Sequence, residues 1–134
     1  MSSIFNQIIA GTIPCHKIAE NKDCFAFLDI NPNAKGHTLC VTKHEVDRLL
    51  DLPKDQYLTL MEFSYNVGLA IEKVIPCNRV GMSVIGLEVP HVHVHLIPLT
   101  SMADATFEKK VAFTPPEMQS IARQIAKEYQ KQNQ

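Results

Sequence analysis

Pro90-His91-Val92-His93-Val94-His95-Leu96-Ile97-Pro98 is the stretch whose reading decides the fold. Histidine alternates with aliphatic residues here, and successive side chains of a β-strand point to opposite faces. His91, His93 and His95 therefore share one face, while Val92, Val94 and Leu96 point the other way, into a core. Proline at each end suits the limits of a strand and not its middle. Three of the chain's six histidines stand in this one row. Such a row can be a polar strand face. It can be a metal site, since His-x-His on a strand offers zinc two imidazoles. It can also be catalytic, because imidazole changes protonation near neutral pH. A neutral ring can attack phosphorus, and a charged ring can neutralise a phosphate or protonate a leaving group. The three are spread over about 13 Å along an extended chain, so one ion reaches adjacent members but hardly all three without other ligands.

Outward from this strand the chain divides cleanly. Ser2 or Ser3 caps a short helix with apolar residues Ile4, Phe5, Ile8 and Ile9, and Gly11 ends it. Lys17–Glu20 and Cys24–Leu28 read as a hairpin about Asn21-Lys22-Asp23. Asp29 to Gly36 is a loop dense in turn formers. His37 to Thr42 is a third strand with Thr38, Cys40 and Thr42 on one face and His37, Leu39 and Val41 on the other. Lys43 to Leu50 reads as a short helical turn. Pro53 stands as the first residue of a long helix reaching about Ile75, with an apolar stripe of Leu60, Phe63, Val67, Ala70, Ile71 and Val74, widened by Leu58 and Met61. Pro76 stops it. Arg79 to Ile85 is a fourth strand, and the histidine strand is the fifth. Residues 100–111 are irregular. Thr114-Pro115-Pro116-Glu117 is a capping box opening a last helix with Met118, Ile121, Ala122, Ile125 and Tyr129 on its apolar face. The order predicts an α+β domain, a five-stranded mostly antiparallel sheet with a long helix, a short N-terminal helix and a C-terminal helix.

The 134 residues fit one domain spanning residues 1–134. A hydrophobic fraction of 46% and a charged fraction of 20% are those of a globular protein. The net charge of −1 leaves no basic excess to hold a nucleic-acid backbone, which argues against long DNA or RNA as a partner. Cys15, Cys24, Cys40 and Cys77 form no Cys-x-x-Cys pair and read as reduced, mostly buried thiols of a cytoplasmic protein. No stretch is long enough to span a bilayer. The N-terminus has no basic region before its apolar residues, and Ile13-Pro14-Cys15 lacks the small residues that precede a lipidated cysteine.

His91-Val92-His93-Val94-His95-Leu96-Ile97 resembles the His-φ-His-φ-His-φ-φ signature of the histidine-triad (HIT) superfamily of nucleotide hydrolases and transferases. The blocks Ser3 to Pro14, Ala26-Phe27-Leu28-Asp29-Ile30-Asn31-Pro32 and Gly36-His37-Thr38-Leu39 are similar to that family's, in its order, over almost the whole chain. The nearest branch is the Hint-like one.

The resemblance implies a site. His93 would be the nucleophile, attacking an α-phosphate to give a nucleotidyl-histidine that water then hydrolyses. His95 would contact the phosphate and assist the leaving group, a task suited to a protonated ring. His91 would orient His93, and His37 would complete the site from the neighbouring strand. Asp29 would hold both ribose hydroxyls. Phe5, Ile8, Ile13, Phe27 and Ile30 would line a purine pocket, with Ser83 and Gly86 near the phosphate. The implied partners are a purine mononucleotide and a second copy of the chain in a homodimer, with no cofactor and no membrane. The sequence departs from the family twice. Where many relatives carry Cys-x-x-Cys, a pair of thiols suited to zinc, this chain has Ser3-Ile4-Phe5-Asn6, so no structural zinc is expected. Where relatives carry Gly-Gln-Ser/Thr-Val before the triad, this chain has Gly86-Leu87-Glu88-Val89. A carboxylate facing the leaving group would repel a departing nucleotide or pyrophosphate and favour a cationic amine. Nucleoside phosphoramidates are thus expected ahead of dinucleoside polyphosphates, with polyphosphate hydrolysis and a histidine-strand metal protein as the alternatives.

Overall fold

The computed structural model describes residues 3–134, so Ser2 as a helix cap lies outside the described residues. Five strands form one antiparallel sheet: β1 (Lys17–Glu20), β2 (Cys24–Leu28), β3 (Thr38–Thr42), β4 (Arg79–Ser83) and β5 (His93–Leu99), in the order β1-β2-β3-β5-β4. The helices are α1 (Ile4–Ile9), α2 (Lys54–Val74) and α3 (Pro115–Gln132). Ser3 Oγ accepts the Asn6 N–H and caps α1. Thr114 and Glu117 close a reciprocal capping box on α3.

The two faces of the sheet do different work. Cys24, Ala26, Leu28, Cys40, Val94 and Leu96 pack against Leu60, Phe63, Val67 and Ile71 of α2 and Ile121 and Ile125 of α3. The opposite face carries a smaller cluster, Phe5, Phe25, Phe27, Leu39 and Val41, with Ile8 and Ile9 of α1 against it. Val41 pairs with His93 and Leu39 with His95, so the odd-numbered residues of β3 and β5 share this second face with His37. The alternation in the sequence thus separates a dry core from a half-covered row of imidazoles. All four cysteines are free, with Cys24 and Cys40 buried and Cys15 and Cys77 half-buried.

Five expectations need correction. The histidine strand begins at His93, not His91: His91 donates its N–H to Val89 O in a tight turn, and Val92 donates to Val46 O on a loop instead of to a strand. Pro98 lies inside β5 and is buried. Leu99 O accepts from Asn78 beside β4. Alternation turns Pro98 towards β3, whose pairing ended at Thr38↔Leu96, so the N–H that proline lacks has no strand to meet. Lys43 to Leu50 is bends and a 3₁₀ turn over Leu49–Asp51, and Pro53 precedes α2 as its cap residue, not its first helical one. β4 stops at Ser83, short of Ile85.

Candidate active site

The four histidines expected to act together do meet on the α1 face. His37 and His91 are fully buried, and His93 and His95 are 7% and 8% exposed. The rings of His93 and His95 are 4.9 Å apart, and those of His37 and His95 5.2 Å. Phe5 of α1 sets its ring edge-on to His93 at 5.0 Å and to Phe27 at 5.6 Å.

Hydrogen bonds fix where every proton sits. His93 Nδ1 lies 2.7 Å from His91 O. A carbonyl only accepts, so Nδ1 carries the proton, and in the neutral ring Nε2 keeps the free lone pair. His91 Nε2 lies 2.7 Å from Thr42 O and is protonated by the same logic, which leaves Nδ1 to accept from the Ser3 hydroxyl at 2.6 Å. His37 Nδ1 accepts the Asn33 N–H at 2.9 Å, so its proton is on Nε2. That Nε2–H donates to His95 Nδ1 at 3.0 Å, which puts the His95 proton on Nε2. The result is one bare nitrogen, on His93, beside one outward N–H, on His95.

Three of these rings, His37, His91 and His95, are driven towards the neutral form. Burial, with repulsion from His95, pushes His37 down to about 3, and burial with repulsion from His93 pushes His95 down to about 4. Burial also lowers His91. The expectation of a protonated His95 is therefore corrected: the ring is a neutral N–H donor. Asp29 spends Oδ1 on the Asn31 N–H at 2.8 Å and turns Oδ2 to within 3.6 Å of His37 Nε2. Burial raises its pKa, although the Asn31 hydrogen bond, Lys110 and His93 oppose the rise.

Of the expected pocket residues, Phe5 and Phe27 are buried, Ile8 and Ile13 are half-buried, and Ile30 is 80% exposed and stands at the rim. Ser83 pairs with His95 across the β4–β5 ladder and is half-buried. Gly86 has a φ of +72°, a left-handed turn that glycine adopts without strain. Glu88 is exposed, and its charge reaches Asp29, where it helps to raise the pKa.

Several residues at the site escape the sequence. Phe107 stacks edge-on to His95 at 4.8 Å from an irregular segment, with a φ of +65°. Lys110 Nζ donates to Asn33 Oδ1 at 2.7 Å, bracing the loop that orients His37. Nothing in residues 100–111 signals either role. Asn33 itself lies in a stretch legible only as a turn, and its contribution is a backbone N–H, which every residue but proline has.

Among the described residues, Asp29, His37 and His95 could hold a metal ion, their ligand atoms lying within 4.8 Å of one another. The fit is poor: His37 Nε2 holds the proton it gives to His95 Nδ1, and a cation would have to break that bond. A site shared by His91, His93 and His95 fares no better, since both nitrogens of His91 and Nδ1 of His93 are engaged.

Comparison with known proteins is consistent with this geometry. A family model described as HIT domain matches residues 10–102. An uncharacterized HIT-like protein of Methanocaldococcus jannaschii is 38% identical over 102 residues, which are 71% of this chain and 77% of that one. The adenosine 5'-monophosphoramidase HNT1 of Saccharomyces cerevisiae is 39% identical over 100 residues, 71% of this chain and 61% of the yeast protein. Among solved structures, a Hit-like protein from Bartonella henselae matches with a TM-score of 0.82 at 24% identity, covering 95% of this chain and 96% of that one, a likeness of fold.

Proposed function

This chain belongs to the HIT domain family, and from that premise we propose that it is a purine-nucleotide phosphoramidase working through His93. The observation that carries the reading is the His93 tautomer: with Nδ1–H given to His91 O, a neutral Nε2 lone pair is left for phosphorus. His93 Nε2 bonds to the α-phosphorus, the P–N bond to the amine breaks, and the nitrogen leaves with its electron pair and a proton from solvent. Water then attacks phosphorus and gives a proton to solvent, the bond to His93 breaks with its electron pair returning to Nε2, and the nucleoside monophosphate departs. His95 Nε2–H donates to a phosphate oxygen throughout, and its neutrality spares the nucleophile a second adjacent cation. Asp29 Oδ2 accepts from the ribose hydroxyls. Phe5, Phe27, Ile8, Ile13 and Ile30 flank the base, and Ser83 and Gly86 lie on the phosphate side.

The phosphoramidase activity is supported by the yeast relative, an adenosine 5'-monophosphoramidase, and by the exposed acid Glu88 just before the histidine run, a charge that would repel a departing polyphosphate. The chain acts as one HIT domain, in the cytoplasm, and no helix among the described residues is long and apolar enough to cross a membrane. It works as a homodimer, a reading supported by exposed Leu58, Tyr65 and Leu69 on α2 and Met82 on the edge strand β4. Protein quenched during turnover of adenosine phosphoramidate should carry an AMP adduct by mass spectrometry, absent in His93→Ala. Turnover without an adduct in wild type would overturn the covalent route. A preference for diadenosine polyphosphate that Glu88→Ser leaves unchanged would overturn the substrate assignment.

A further inference from the structure

β4 leaves β5 early. Its last pair is Ser83↔His95, and beyond it the chain swings away through Val84, Ile85, Gly86 and Leu87 before returning at His91. His93 is therefore paired with β3 on one side and has no strand on the other. The space left beside it is an open cavity of about 750 Å³, lined also by Asp47 to Leu50. This cavity reaches His93 from the β4 side, whereas Phe5 and Phe27 approach it from under α1. With the base and ribose assigned to the α1 side and the phosphate to His93 and Gly86, the rest of this cavity is left for the group beyond phosphorus.

The walls say what this cavity would hold. Leu49, Leu50, Val84, Ile85 and Leu87 make it apolar. Its charged groups are Asp47 and Arg48, and Arg48 gives Nε–H and Nη2–H to the two oxygens of Asp51, both at 2.9 Å. The guanidinium is paired with its neighbour, which leaves the Asp47 carboxylate as the other charged group of the lining. A phosphate or nucleotide leaving group meets like charge there. Ammonia, the leaving group of the simplest phosphoramidate, fills almost none of the volume.

We infer that the cavity beside His93 is a leaving-group subsite for amines that carry an apolar chain or ring of several carbons. The inference rests on the phosphoramidase reading and narrows its substrate class. The amine nitrogen stays at phosphorus, and its carbon body lies against Leu49, Val84, Ile85 and Leu87.

The test is a series of AMP phosphoramidates whose leaving amines are methylamine, hexylamine and phenethylamine. The rate constant kcat/KM should rise about tenfold or more from methylamine to phenethylamine, the scale expected for burying such a chain. Leu50→Asp and Leu87→Asp should each remove most of that rise and leave the methylamine conjugate unchanged. Both side chains are largely exposed, at 86% and 90%, so neither change threatens folding. A flat series in wild type, with the methylamine conjugate cleaved and the His93 adduct formed, overturns the subsite and leaves the phosphoramidase reading intact. If no conjugate is cleaved, that reading fails. The subsite is then judged by titrating the methyl and phenethyl conjugates into His93→Ala: equal affinities overturn it, and tighter phenethyl binding that Leu87→Asp abolishes upholds it. Self-association lost in Leu87→Asp with the amine series unaltered would assign these leucines to a subunit contact and overturn the subsite.

Discussion

Lowering the pH from 7.5 to 5 should cost this protein about 4 kcal/mol of stability through His37 and His95 alone. Both are held neutral in the fold, at about 3 and about 4, whereas the unfolded chain takes up a proton on each near pH 6.5. The folded pKa is the lower one, so the stabilisation is complete above pH 6.5 and drains away as the pH falls towards 4 and then 3. At pH 5 each unfolded imidazole is almost fully charged and each folded one almost fully neutral, which gives about 2 kcal/mol apiece whatever the final digit of the folded value. The local slope is two protons, or about 2.7 kcal/mol per pH unit. Asp29, whose pKa is raised, acts in the opposite sense, gaining stability as the pH drops through its folded value. A comparison with His37→Asn isolates the histidine part: asparagine can still accept the Asn33 N–H, and the slope near pH 5 should fall by about 1.4 kcal/mol per unit. The measurement is urea unfolding followed by far-ultraviolet circular dichroism at pH 7.5, 6.0, 5.5 and 5.0, extrapolated to water. A wild-type stability that is level across this range, or a slope that His37→Asn does not reduce, would show that these rings are not held neutral.

Three further changes test the framework around those rings. Leu60→Ala removes a fully buried α2 side chain under the sheet and should lower unfolding free energy by about 2–5 kcal/mol, read by urea titration, while the His93 adduct still forms in the folded fraction. Gly36→Ala forces a side chain onto a φ of +90° and brings its Cβ to 2.9 Å from Ile75 Cγ1. It should cost about 1–3 kcal/mol by thermal unfolding and depress kcat more than KM, because Gly36 leads directly into His37. Ser3→Ala strips the donor from His91 Nδ1 and leaves that buried nitrogen without its partner, a loss of about 1–3 kcal/mol by denaturant titration.

The alternation at Val92 to Leu96, the stripe on α2 and the Thr114–Glu117 box each point to one structure, and the fold follows them because local preference and burial agree. His37, Leu39 and Val41 sorted correctly from Thr38, Cys40 and Thr42 for the same reason: a strand has a period of two. What the sequence could not reveal has two physical sources. Proline's meaning depends on which neighbour a strand has at that residue, and only the register shows that β3 has ended where Pro98 lies. Likewise, the charge on His95 depends on how deeply the ring is buried and on His37 beside it, and the pattern His-x-His carries neither fact. Phe107 and Lys110 reach the site from a segment without periodicity, where side-chain direction is set by tertiary contacts alone.

The arrangement also explains why so polar a cluster can sit almost dry. His37, His95 and His93 stack in a row at ring separations near 5 Å, so a charge on His37 or His95 would face both burial and a like neighbour. Neutral rings remove the charge but create another problem, because each then has two tautomers and only one leaves the right nitrogen bare. The choice is made by backbone groups, which cannot reverse their polarity: Asn33 N–H must donate, while Thr42 O and His91 O must accept. These peptides come from the loop before β3, the end of β3 and the turn before β5, so the tautomers are fixed only once β3 and β5 are paired. A lone histidine strand would hold the same residues with no preferred nitrogen free. The direction of the free His93 nitrogen is therefore a property of the assembled sheet, and its loss should accompany any change that unpairs Val41 from His93, even one that touches no imidazole.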